Sequence, residues 1–182
     1  MNIDWAIVVS SIAVAVAVIA LLVQTRNSRI AVQTQALLSL SERFDSAAMR
    51  AIRRKAASNL LARKPSDDEL ADILDFLSSI AFLRSRRAID RALAYNQFSW
   101  WMVRYWHAAS PFIVEERERD PQSWMMLEQV VRELEKLEEH DGFPRDAYSV
   151  EKIREFLSRE ASLPISLPPD SELQPPAPVE DQ

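Results

Sequence analysis

The chain has 182 residues, one glycine, no cysteine and a formal net charge of −5. A single glycine excludes the dinucleotide G-x-G-x-x-G turn, the phosphate-cradling loop and the G-x-S-x-G elbow, each of which needs at least two. The missing thiolates exclude cysteine-ligated zinc, iron–sulfur clusters and disulfide scaffolds.

The first element is the stretch Ala6–Val23, which alternates valine and alanine as a strand would. No charge occurs from Trp5 to Thr25, a run far longer than the 4–8 residues of a half-buried strand. As a helix it rises about 27 Å, close to the roughly 30 Å hydrocarbon core of a bilayer. Eleven of its 18 residues are Ile, Leu or Val, which together favour insertion by roughly 3–7 kcal/mol. Residues 5–25 are therefore predicted to form a transmembrane anchor, bounded by Trp5 and Ala6 on one side and by Val23, Arg26 and Arg29 on the other. A cleaved signal peptide fits poorly. Asp4 stands where a basic n-region belongs, and the small-x-small triplet Val18-Ile19-Ala20 lies inside the apolar run. Ala6, Ser10, Ala13, Ala17 and Ala20 recur at spacings of four and three, a stripe through which two such helices could dimerise.

Orientation follows from positive charge. Residues 1–4 carry no Lys or Arg, whereas residues 26–64 carry nine against two carboxylates. The short N-terminus is expected outside and the rest of the chain in the cytoplasm.

Residues 26–45 read as a continuation of the anchor helix, with Ile30, Gln33, Leu37, Leu40 and Phe44 as a seam for another helix, broken near Asp45-Ser46. A helical domain over 46–161 follows, so the predicted fold is all-α: one transmembrane helix extended into a cytosolic multi-helix bundle. Its second helix is expected to reach about Lys64. In "KPSDDEL", Ser66 and Glu69 have the spacing of a capping box for a third helix, from Asp67 to about Arg86. Asp90 is expected to cap a short helix to Asn96 or Gln97 that leads into "FSWWMVRYWHAASPFIVEERERD". In "DPQSW", Asp120 and Pro121 read as N-cap and N1 of a helix with Trp124, Leu127, Val130, Val131, Leu134 and Leu137 inward, ending by Gly142. Ser149 caps a last helix, Val150 to about Ala161. Residues 162–182, rich in proline and without aromatics, are expected to form a disordered tail.

The candidate sites are few. His107 and His140 stand 33 positions apart with no metal-binding spacing. No catalytic residue, cofactor or metal is predicted. Arg50, Arg53 and Arg54 share a basic helix face that reads as ordinary positive-inside bias or, alternatively, as a contact for anionic lipid. Residues 65–182 carry 13 basic and 24 acidic side chains, which argues against nucleic acid. Among Phe98, Trp100, Trp101, Tyr105 and Trp106 the spacing is that of a core, with Trp100 turned about 100° away from Trp101 as a partner-facing anchor.

Asp75-Phe76, Ile80-Ala81, Ile89-Asp90, Tyr105-Trp106, Pro111, Ile113 and Glu115-Glu116-Arg117 occur in an order that resembles a family of uncharacterised bacterial proteins. Its members pair one N-terminal transmembrane helix with a cytosolic helical domain, and the resemblance spans roughly residues 5–140. The chain departs from the family's pattern at Leu77-Ser78 and Arg87-Ala88. The resemblance implies bacterial origin and inner-membrane location, and it supplies no catalytic residues. Three expectations follow. The first is a non-enzymatic, membrane-anchored protein that holds a protein partner at the bilayer in a regulatory role, such as sensing or an accessory part in phage defence. The second is a small membrane-bound enzyme using Asp72, Asp75, Glu115 or Glu116, and the third an anionic-lipid sensor.

Overall fold

A computed structural model describes residues 5–64, 67–140, 142 and 148–164; the side chains of residues 5–15 and 67 lie outside the description. Among the described residues there are seven helices and no strand: α1 (Trp5–Phe44), α2 (Ala47–Leu61), α3 (Asp67–Ser85), α4 (Arg91–Ala108), α5 (Ser110–Arg119), α6 (Met125–His140) and α7 (Val150–Ala161).

α1 runs unbroken for 40 residues. It stops at Phe44, where Ser46 begins α2 by accepting the Met49 amide at 3.2 Å. Past the residues whose side chains are outside the description, α1 stands clear of the bundle: every residue from Val16 to Val32 is exposed. Only its last turns are covered: Leu37 and Phe44 are buried, while Ile30 at the start of the predicted seam remains 52% exposed.

Phe44 seats α1 in the core. Its ring stacks on Phe76 of α3 at 5.4 Å and meets the edges of Phe98 and Trp101 of α4 at 5.8 and 5.1 Å. α3 supplies the centre of that core with Leu70, Ile73, Leu74, Leu77, Ile80 and Ala81, all buried. The direction of α3 follows from two contacts. Phe76 lies at the level of Phe44, and the Arg87 carbonyl accepts from Gln33 Nε2 at 2.8 Å. Eleven residues separate each pair along its own chain, about 16 Å of helix rise. α3 therefore runs antiparallel to α1 and brings the α3–α4 turn back toward the apolar end of α1.

Several sequence expectations are corrected. The aromatic run is one helix with the segment before it: α4 continues without a break from its Asp90 cap, whose Oδ1 accepts the amides of Ala92 and Leu93. α2 ends at Leu61, short of Lys64, because Arg63 adopts φ +52°. α6 starts at Met125, so Pro121 is not at its N1 position. Asp120 caps a turn there through the Gln122 amide, and Trp124, at φ +54°, is drawn aside by its indole N–H bond to Asp75 Oδ1 at 2.7 Å. Within α6 the inward register shifts at its end: Glu138 is buried and Leu137 is 44% exposed. Gly142 takes φ +82°, which closes α6 at little strain. Ser66 and the tail from residue 165 lie outside the described residues.

Candidate functional site

The least expected arrangement is a charged cluster inside the core. On α2 the inward positions are Met49, Arg53, Ala56 and Ala57, and the two alanines let α7 approach closely. Arg53 crosses this gap. Its Nε and NH2 donate to Glu160 Oε2 and Oε1 of α7 at 2.7 and 2.8 Å, a bidentate pair, and NH1 donates to the Phe44 carbonyl at 3.3 Å. Tyr105 Oη donates to Glu160 Oε2 at 2.7 Å and Trp101 Nε1 to Oε1 at 3.3 Å. The guanidinium also lies 4.0 Å from the centre of the Phe44 ring. Burial opposes the Arg53 charge, yet the hydrogen bonds and charge of Glu160 outweigh it and hold the guanidinium above its usual range. Burial, with the same carboxylate beside it, pushes the Tyr105 phenol well above its usual value.

This cluster is a clasp that locks α7 onto α1, α2 and α4, with no room for a substrate. It also corrects the predicted lipid-facing trio. Arg53 is 2% exposed and so does not share an outer face with Arg50 and Arg54. Arg54 is exposed; Arg50 is half-buried, with Nε and NH2 lacking a hydrogen-bond partner.

Trp100 keeps 40% of its surface, but it is not a bare anchor. The Arg104 guanidinium lies 3.2 Å from its ring centre and Phe156 packs against its edge at 6.4 Å. Behind Arg104 sits Glu138, 5% exposed, with Oε2 unpaired. Burial raises the Glu138 pKa, only partly offset by the Arg104 charge. A carboxyl whose folded pKa exceeds its unfolded value favours the folded state only while protonated, and that advantage is lost as pH rises above the ordinary glutamate range near 4.3. Glu138→Gln is therefore expected to raise the neutral-pH melting temperature and to flatten its decline above pH 4.5; an unchanged or lower melting temperature would refute the assignment.

Among the described residues, two of the surface clefts take in predicted site residues. One, of 430 Å³ between α2, the α4–α5 junction and α7, has an apolar floor including Leu60, Ile153 and Leu157, and Arg63 and Arg154 at its edge. His107 lines it, stacked on Tyr148 at 4.7 Å and paired with Glu135 through Nε2 at 2.8 Å. His140 is exposed at the end of α6.

The other, of 490 Å³ between α3 and the α5–α6 junction, is lined by Asp68, Asp75, Glu116 and Asp120 with Phe112 and Trp124. Of the four predicted carboxylates, this cleft brings together Asp75 and Glu116. Asp72 is exposed outside the lining, and Glu115 pairs with Arg119 at 3.3 Å. Asp75 is held by Trp124 and Glu116 by Arg119 at 3.1 Å. Among the described residues no group of three His, Cys, Asp or Glu could hold a metal ion.

Of the anchor residues, Val23, Arg26 and Arg29 are exposed, as are Ala17 and Ala20 of the small-residue stripe; Trp5, Ala6, Ser10 and Ala13 have side chains outside the described residues. Among the described residues no helix is long and apolar enough to cross a membrane. Of the predicted span, Ala6–Val23, the side chains of residues 6–15 lie outside the description.

Fold and clefts together define an all-helical bundle built on one long N-terminal helix. The chain belongs to the family of the domain of unknown function DUF4760, whose model matches residues 7–134. The match begins in the apolar half of α1 and ends inside α6, so α7 and its Glu160 lie beyond it. No curated protein and no solved structure matches the chain.

Proposed function

We propose that the protein is a single-pass, membrane-anchored helical module of a bacterial inner membrane, which holds a protein partner against the cytoplasmic face. The observation that carries this reading is the bare apolar half of α1. All eight residues from Val16 to Val23 are aliphatic and exposed, Leu22 by 65% and Leu21 by 62%. Soluble proteins rarely leave so continuous an apolar surface uncovered, whereas lipid covers it on every side. The charge-free sequence extends this surface back to Ala6, and exposed Arg26 and Arg29 follow it on the side where positive charge is retained. The family match includes this half of the helix.

The bundle's partner-binding surface is the 430 Å³ cleft, where apolar side chains meet a cationic edge and where Leu61 and Val150 remain 37% and 78% exposed. A peptide with apolar anchors and acidic flanks matches it.

Two measurements test this reading. The full chain is expected to stay in the pellet after alkaline carbonate extraction, and Ala17→Arg, which adds about 2.5–3.5 kcal/mol to insertion at mid-span, to release a large fraction. Cross-linking in membranes from a probe at Val150 is expected to capture a discrete protein. Release of the unaltered chain by carbonate would sink the anchor; repeated recovery of the chain alone would sink the partner.

A further inference from the structure

The return of α3 toward the apolar end of α1 places a third, smaller cleft at the α3–α4 turn. It measures 200 Å³ and is lined by Arg84, Arg87 and Arg91, with Ser85, Gln129 and Glu133. Pockets for drug-sized ligands occupy about 300–1,000 Å³, so this one suits a small group.

Three arginines face one carboxylate here. Glu133 Oε2 accepts from Arg84 NH2 at 2.8 Å and from Arg91 NH2 at 3.1 Å. That leaves Arg87 exposed and without an ion-pair partner among the described contacts, and Arg84, 7% exposed, with its buried Nε unpartnered. That Nε has no surface open to the cleft, so an occupant meets the exposed Arg87 fork, the remaining donors of Arg91 and the Gln129 amide. Three guanidinium charges against one carboxylate leave an excess of positive charge that an anion offsets. A tetrahedral phosphoryl group, with more acceptor oxygens than a carboxylate, can accept from these donors from different directions.

We propose that this cleft binds a phosphoryl oxyanion, supplied by an anionic lipid headgroup or by a free phosphate. The lipid source rests on the membrane reading above; the anion site itself does not. Gln33, which fixes the turn through Arg87, lies ten residues past Val23, about 15 Å along α1. The headgroup layer takes up about 5–8 Å of that. The remainder is on the order of the 8 Å Debye length at physiological salt, so the cleft feels the bilayer's surface charge. Exposed Arg86 beside it and Arg26 and Arg29 above it add to the same field.

The test uses the full chain in phosphatidylcholine nanodiscs, its melting followed by tryptophan fluorescence at constant ionic strength. Inorganic phosphate at ten times its Kd is expected to raise the melting temperature by about 3–6 °C. Arg87→Asn/Arg91→Gln is expected to abolish the shift; asparagine tolerates the φ of +56° at position 87. Arg87→Asn alone, at an exposed site, reports the same loss in part should the double variant fold poorly. Lys64→Gln/Lys136→Gln, an equal change of charge at exposed sites outside the described clefts, is expected to leave the shift intact. Discs containing phosphatidylglycerol separate the sources: a shift without added phosphate, which phosphate no longer enlarges, identifies the headgroup, and inert phosphatidylglycerol beside active phosphate identifies the free anion. No shift from either, or one that survives in the double variant, overturns the site. Loss of the chain from the discs in carbonate instead refutes the anchor, and the phosphate titration then proceeds in detergent.

Discussion

Glu160→Ala is expected to destabilise the folded protein by about 3–5 kcal/mol, because it leaves the buried Arg53 charge with only the exposed Asp45 carboxylate, 3.9 Å away. That is a large part of the roughly 5–15 kcal/mol that holds a typical domain together. Arg53 is 2% exposed and donates to both Glu160 oxygens, and Tyr105 and Trp101 lose their acceptor in the same variant. Removing both charges behaves differently. Arg53→Met/Glu160→Leu is expected to cost clearly less than Glu160→Ala, since an apolar pair of similar bulk carries no desolvation penalty. Its remaining cost is the orphaned Tyr105 hydroxyl, which Tyr105→Phe then removes. Chemical denaturation of the full chain in micelles, read by circular dichroism, gives the coupling energy; strictly additive losses would show that the clasp is not a unit. The alkaline limb is a second readout. Because the Tyr105 phenol is raised by burial, its hydrogen bond contributes fully below pH 10 and is lost as pH climbs through the higher folded value, a dependence absent in Tyr105→Phe.

The clasp explains what could and could not be read from the residues. Helix content, the α1 break at Asp45-Ser46 and the Ser149 cap follow from local chemistry, which a few neighbouring residues carry. Arg53 was hidden by its neighbours: "RAIRRK" reads as a basic face, and only its spacing of four from Met49 and three from Ala56 sets it on the apolar stripe. Glu160 gives the matching signal, four residues past Phe156 and three past Leu157. Two opposite charges on two apolar stripes were the legible clue; that they meet across 107 positions is a tertiary fact. The phosphoryl cleft was less legible still. Arg84, Arg87 and Arg91 look like solvated charge in a turn, and only the antiparallel register of α3 against α1 brings them toward the apolar end of α1 beside Glu133 and Gln129 of α6. Trp124 at positive φ was unreadable, because the hydrogen bond to Asp75 that holds its indole comes from another helix.

The other large effect is expected at Phe44, which joins α1 to the bundle. Phe44→Ala removes a ring that touches Phe76, Phe98 and Trp101 and lies under the Arg53 guanidinium, at a cost of about 3–5 kcal/mol for a large-to-small change in a close-packed core. Phe44→Leu keeps most of the volume and is expected to cost less than half as much. Energy is only part of the consequence. α1 has few other ties to the bundle: Leu37 is buried, Leu40 packs at the edge of the core, and Gln33 bonds the Arg87 carbonyl. Without the ring, the last turns of α1 are expected to open before the rest of the protein unfolds, so amide exchange over residues 37–44 should accelerate more than exchange in α3. Uniform acceleration across both helices would mean that α1 and the bundle form one cooperative unit. A selective effect would mean that Phe44 sets how rigidly the bundle is held to α1; if the proposed anchor and partner hold, Phe44→Ala should then also weaken capture from Val150 without changing carbonate retention.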